Sequence, residues 1–283
     1  VLKKGKNKGL NGSVEIFGGY RLNTGSNVNI NGANEKSNWF INTGIGYSEP
    51  NGKNSVELNN FETIPNRTSQ NSDRIRKQLY ELINIGGSHD MGENQSMSVS
   101  FMYRKANANN DNSTFYNDFD NNTLMASSER LEDEDENNDF LQGEINYSIE
   151  LDTLGQVINF GVNGQFTKSA ENSEIIENES FPEITFLNAD RTFRDEDNRR
   201  FLFSADYELP LKRNHKLELG YLGSYKKVEN DFEVVTGTGN DFVSIPEFTN
   251  STEFRENINS FYVQFGKKYE KIAYQLSLRS ELT

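Results

Sequence analysis

The chain lacks cysteine altogether, and its 283 residues include one tryptophan, two histidines and five prolines. Without cysteine it can build neither a disulfide framework nor a thiolate metal site. His89 and His215 are too few for a multi-histidine metal site. Both stand beside short polar turns, away from the partners that acid–base chemistry needs within hydrogen-bond reach. They read as ordinary surface residues. No run of about 20 consecutive apolar residues occurs, which excludes a helical membrane span. Positive charge is in deficit, with 29 Lys and Arg against 43 Asp and Glu and a net charge of -14. That surface disfavours nucleic acid as a partner. The opening Val1-Leu2-Lys3-Lys4 is not a signal peptide. A fragment or a mature product is therefore expected.

What is present is strict alternation. Along 141–151 one parity reads Leu, Gly, Ile, Tyr, Ile, Leu and the other Gln, Glu, Asn, Ser, Glu. A period of two places these sets on opposite faces of a sheet. The pattern recurs. Met97, Val99, Phe101 and Tyr103 oppose Ser96, Ser98, Ser100 and Arg104. Ile158, Phe160, Val162 and Phe166 oppose Asn159, Asn163 and Gln165. Phe201, Phe203, Ala205 and Tyr207 oppose Arg200, Ser204, Asp206 and Glu208. Leu217, Leu219, Tyr221 and Tyr225 oppose Lys216, Glu218 and Ser224. From Arg76 to Ser88 apolar residues occupy both parities, and a bulge is expected there.

Tight polar turns centred near Asn34, Gly92, Thr153, Arg213 and Glu270 repeat at roughly 59-residue intervals. Between them lie polar, Asn/Asp-rich stretches at 50–75, 108–138, 170–198 and 229–256, expected as long loops. Short turns at one end and long loops at the other describe an outer-membrane barrel. The predicted class is all-β: an antiparallel up-and-down transmembrane β-barrel, partial, of about 11 meandering strands with short periplasmic turns and long extracellular loops. A mean hydropathy of -0.78 does not oppose this, because only every second strand residue meets lipid. Tyr47, Tyr103, Tyr147, Phe166, Tyr207, Tyr225, Tyr269 and Tyr274 fall at or near strand ends, as aromatic girdles would. A soluble β-sandwich is the competing fold, but its strands usually run about five or six residues.

The opening residues 1–9 resemble the last plug strand of a TonB-dependent outer-membrane receptor, with its basic tail entering the first barrel strand. Residues 10–20, 26–31 and 39–47 resemble the outer-membrane β-barrel family common in the Bacteroidota. The resemblance covers nearly the whole chain as a pattern rather than as an invariant motif. It implies 22 strands closed around a plug, of which about half are here. The expected organisation is 1–8 as the end of the plug and 9–283 as a partial barrel, the N-terminal half.

The implied function is binding and import of a scarce ligand (siderophore, glycan or peptide) at the outer membrane of a Gram-negative bacterium. TonB coupling would come through the missing plug, and a surface lipoprotein would be a partner along with outer-membrane lipid. No catalytic residue, metal or cofactor is expected. Candidate ligand contacts are Phe115, Tyr116, Phe119, Phe186, Phe193 and Phe242 in the presumed loops, with Arg200 and Glu144 on the lumen face. Packing of the loops against one another is the plainer role for any single aromatic. The acidic run 131–139 lacks glycine and calcium-loop spacing and reads as a solvated loop. Two other roles remain open: a plug-free channel or surface adhesin barrel, and a soluble all-β binding protein.

Overall fold

The computed structural model describes residues 9–61, 63–211, 215–239, 241–269 and 272–283. The opening basic segment 1–8 and the turn centres Arg213 and Glu270 lie outside the described residues.

Every described strand joins one antiparallel sheet of 13 strands. In chain order these are β1 (Gly9–Gly19), β2 (Asn23–Ala33), β3 (Ser37–Ser48), β4 (Asn51–Asn59), β5 (Arg67–Asp90), β6 (Gln95–Asp120) and β7 (Thr123–Glu150). Then come β8 (Val157–Phe181), β9 (Thr185–Leu211), β10 (His215–Thr238), β11 (Asp241–Ser244), β12 (Asn250–Lys268) and β13 (Ala273–Leu282). Eleven strands form a meander in the order β1-β2-β3-β5-β6-β7-β8-β9-β10-β12-β13, and two short strands flank it, β4 on β5 and β11 on β10. The meander matches the expected strand count; β4 and β11 are additions. In the pairing order β1 and β13 each have one neighbour, so the described sheet has two open edges.

Side-chain chemistry explains the described turns. In the β2–β3 turn, Asn34 Oδ1 accepts the backbone N–H of Lys36 at 2.9 Å and of Ser37 at 2.8 Å. In the β7–β8 turn, Asp152 Oδ1 accepts from Leu154 N at 2.9 Å and Gln156 N at 3.0 Å, and Gly155 supplies a φ of +94°. Asn and Asp mimic a backbone turn in this way.

The expected long loops are corrected. Most of 50–75, 108–138, 170–198 and 229–256 is strand. β7 runs for 28 residues and β6 for 26. At about 3.4 Å per residue, β7 is on the order of 90 Å long, roughly three times what a membrane crossing needs. β6 and β7 are joined by Asn121 and Asn122 alone, both at positive φ (46° and 68°). That is the two-residue turn Asn favours in hairpins. The acidic run 131–139 lies within β7, not at a loop end.

The bulge expected between Arg76 and Ser88 is also corrected. β5 keeps unbroken register with β3 and with β6 there. Both parities are apolar because Tyr80 and Leu82 sit opposite Gly46 and Gly44 on β3. A Cβ at Gly46 would strike the Tyr80 ring. Glycine leaves the gap that the aromatic side chain fills.

The described residues form no second layer. The face that carries Val99, Phe101, Ile145, Phe160, Val162, Phe201 and Phe203 is open, each of these side chains being 40–46% exposed. Moving one such side chain out of water is worth about 1.5–3 kcal/mol. A contiguous exposed apolar band of this width marks a surface that meets a partner, a covering layer or a membrane.

Candidate functional site: the polar face of the sheet

The register aligns polar residues of five strands into a concavity. Gln165, Arg200, Lys226 and Glu256 form one cross-strand row over β8, β9, β10 and β12. They line a hollow of about 480 Å³ together with Asn198, Ser224, Arg279 and Glu281. Arg279 pairs with Glu281 and donates to the buried Ser260 Oγ at 3.2 Å. By contrast, Arg200 and Lys226 form no ion pair among the described residues; Lys226 only stands 5.8 Å from the Phe254 ring. Glu256 stands opposite Lys226 at the end of the row, so the place an anionic group would fill is between Arg200 and Lys226, which repel each other.

Nearer the short turns, Tyr262 crosses a whole strand. Its ring lies over Gly220 on β10, and its hydroxyl donates to Asp206 Oδ1 on β9 at 2.6 Å. Only glycine at 220 leaves room for this.

Farther along the long strands, Arg76 on β5 grips Glu136 on β7 through two bonds of 2.7 Å, reaching across β6. Asn110 of β6, 2% exposed, sits between them. It accepts from Arg76 at 3.1 Å and donates to Glu136 at 2.6 Å and to Glu134. The Arg76 guanidinium holds the Glu136 carboxyl down to about 2. Burial and the neighbouring Glu136 push Glu134 upward instead. Fork-to-fork Arg–carboxylate geometry fixes both partners, so this cluster pins the extended hairpins.

The structure sorts the candidates named from the sequence. Arg200 lies in the hollow. Glu144 is on the same face nearer the short turns, accepting from Asn146 at 2.6 Å and from Asn163 at 3.4 Å. The six aromatics are in strands rather than in loops. Phe115 and Phe119 share the parity of Phe101, whereas Tyr116 points to the polar face. Phe119 stacks under Arg67 at 4.0 Å. Phe193 and Arg191 share the apolar parity of β9, and Arg191 lies 4.1 Å from the Phe242 ring while pairing with Glu174 at 3.0 Å. Phe186 precedes a register shift in β9. The structure therefore groups Phe193 and Phe242 near one edge, and separates them from Arg200 by placing them on the opposite face.

Sequence reasoning missed Lys226, Arg279 and Arg76. Their parity was readable, but their neighbours depend on register. The two histidines lie at the short-turn end: Ser37 Oγ is 2.7 Å from His89 Nδ1, and the His215 ring is 5.4 Å from that of Phe265. No cluster of three or more His, Asp or Glu is placed to hold a metal among the described residues.

Residues 150–283 match the model of the outer membrane protein beta-barrel family. No curated protein matches the chain. Among solved structures it is similar to the ferric-catecholate import receptor Fiu from E. coli K12 in its open form. Identity is 9% over 98% of this chain and 55% of that one, with a TM-score of 0.44. It is also similar to the ferric yersiniabactin uptake receptor FyuA from Yersinia pestis, at 9% identity over 96% of this chain and 46% of that one, with a TM-score of 0.39. BamA from Haemophilus ducreyi lacking POTRA domains 1-3 shares 9% identity over 96% of this chain and 70% of that chain, with a TM-score of 0.20. The chain spans about half the length of the two receptors.

Proposed function

We propose that this chain is part of an outer-membrane β-barrel receptor that captures a scarce ligand on its polar concave face and passes it inward. The observation that carries this reading is the segregation of faces. For about ten residues from the short turns each central strand is apolar on one side and polar on the other, the length and pattern of a lipid crossing. Beyond that, both sides are mainly polar, with scattered apolar residues such as Phe115, Ile176 and Phe193. In hydrocarbon an unpaired strand edge is not tolerated. In this reading the edges of β1 and β13 are paired within the membrane.

The hollow at Arg200 and Lys226 suits a ligand with a carboxylate, phosphate or similar anionic group. Nothing in the face calls for covalent chemistry, so the role is non-catalytic. Coupling to TonB, a plug and a surface lipoprotein partner belong to this proposal through the family resemblance.

The test has two stages. The protein, expressed in its own cells, should fractionate with the outer membrane, resist alkaline extraction and migrate faster on gels when unheated. Recovery in the detergent-free soluble fraction would sink the proposal. A deletion strain should then lose growth on one limiting nutrient, and Arg200→Gln with Lys226→Gln should reproduce that loss at normal protein levels. Passive uptake of many unrelated solutes would instead favour a plug-free channel.

A further inference from the structure

The row of Arg200, Lys226 and Glu256 differs from the row beside it. One residue along, on the opposite face, Arg199, Lys227 and Arg255 also stand level on β9, β10 and β12. Each of those cations has a carboxylate: Asp197 for Arg199, Glu229 and Glu253 for Lys227, and Glu253 for Arg255. Arg200, Lys226 and Glu256 make no ion pair among the described residues, although Lys226 and Glu256 are opposite each other in register. The other charges of the hollow are paired together. Arg279 meets Glu281, and both bond the buried Ser260 hydroxyl at 3.2 Å. Two cations and one carboxylate are left free on a single row.

On the short-turn side of that row the floor of the hollow is apolar. Leu202 and Ile258 flank Ser224 across β9, β10 and β12, and Leu222 lies one step farther on. All three line the same space of about 480 Å³. An apolar lining with a few polar groups that fix orientation is the make-up of a small-molecule site.

The free charges also have a set spacing. Strands lie about 4.8 Å apart, so a point midway between Arg200 and Lys226 is about 7 Å along the row from Glu256. A simple anion answers the two cations and leaves the half-buried Glu256 carboxylate without a partner. A simple amine does the reverse, and a neutral sugar answers neither. A free amino acid has both charges, but on one carbon, too close together to reach both ends. Two extended residues span about 7 Å. We infer that the hollow takes a zwitterion of dipeptide length, a narrowing of the capture reading above, on which it rests. The carboxylate lies between Arg200 and Lys226, the ammonium at Glu256, and an apolar side chain on Leu202, Leu222 and Ile258. Charge-assisted bonds at both ends select direction as well as length.

The test is calorimetric titration of the intact protein, extracted from its own cells in mild detergent, with leucyl-leucine and its two blocked forms. Leucyl-leucine should bind. N-acetyl-leucyl-leucine lacks the ammonium and leucyl-leucine amide lacks the carboxylate. Each should bind about tenfold more weakly, as should leucine alone. Glu256→Gln should bring leucyl-leucine down to the level of its N-acetyl form and leave the N-acetyl form where it was, which also shows that the variant is folded. Glu256→Asp should keep the preference. Arg200→Gln with Lys226→Gln should bring leucyl-leucine down to the level of its amide. Equal binding of leucyl-leucine and its N-acetyl form would overturn the inference and leave anion capture standing. Failure of every dipeptide to bind would also overturn it; a growth defect of the Arg200 and Lys226 variant would then still stand for capture of a different ligand. Recovery of the protein in the soluble fraction would remove the capture reading, and this inference with it.

Discussion

The two ends of the long strands share one backbone ladder and differ in what their faces meet. Near the short turns, β7 alternates Ile145, Tyr147 and Ile149 with Glu144, Asn146 and Ser148. Farther along, the same parities read Asp133, Asp135 and Asn137 against Glu132, Glu134 and Glu136. The register with β6 is unbroken between these regions. Backbone pairing is indifferent to the change of solvent; side chains are not. The first region relies on an apolar surround. The second relies on bonds across strands, such as Arg76 to Glu136, Asn109 Nδ2 to Asp133 at 2.8 Å, and Lys77 to Asp111 at 2.8 Å.

That contrast can be broken most sharply with one substitution made twice. Ile145→Arg places a charge in the middle of the apolar band and should cost about 2–4 kcal/mol of folding free energy in bilayers, read by urea titration. Asn137→Arg, on the same strand and face, should stay within about 0.5 kcal/mol. Equal costs would abolish the distinction between the two regions.

The next effect belongs to the near region alone. Gly220→Ala puts a methyl group where the Tyr262 ring lies. Displacing that ring breaks its bond to Asp206 and should cost about 1–3 kcal/mol. Tyr262→Phe in the same background tests the link, because the two losses should not add.

A smaller effect marks the far region. The Glu136 carboxyl is held at about 2 by Arg76, below its ordinary 4.5. A lowered carboxylate contributes stability that is present above the unfolded value and disappears as pH falls toward about 2. Glu134 is raised, so its contribution runs the other way: it is present in acid and declines as pH rises past its ordinary range. The net expectation is weaker amide protection, exchange being taken relative to an unstructured amide at the same pH, in β5, β6 and β7 around Asn110 between about pH 4.5 and 2. Glu136→Gln should flatten that pH response and cost about 1 kcal/mol at neutral pH. Exchange in the apolar band should not respond.

The smallest change in stability is expected at the candidate ligand site. Arg200→Gln removes a cation with no ion-pair partner among the described residues, so stability should move by less than about 0.5 kcal/mol. Ligand capture should fall nonetheless. A large destabilisation, measured by the same urea titration, would mean that Arg200 serves the fold instead.

The positions of aromatic residues toward strand ends were legible in the sequence. Tyr103, Tyr147 and Tyr207 do place their hydroxyls on polar partners, Asp139 at 2.7 Å, Gln95 at 3.1 Å and Gln156 at 2.9 Å. Polar stretches misled for an identifiable reason. Where both parities are Asn, Asp, Glu or Ser, the alternation that announces a strand disappears, although the ladder continues. The residues of the hollow were only half legible, since Arg200 and Gln165 are on one parity for anyone to see. That they stand level with Lys226 and Glu256 is a property of three strand pairings.

Local chemistry alone determined which side chains share a face and where the turns with Asn34 and Asp152 fall, because strand period and turn hydrogen bonding act over a few residues. How far β6 and β7 extend, which of Arg199, Lys227 and Arg255 stand side by side, and that Arg76 finds Glu136 were decided only by tertiary structure. Register between strands is fixed by the sum of many distant pairings, and no short window of sequence contains that sum.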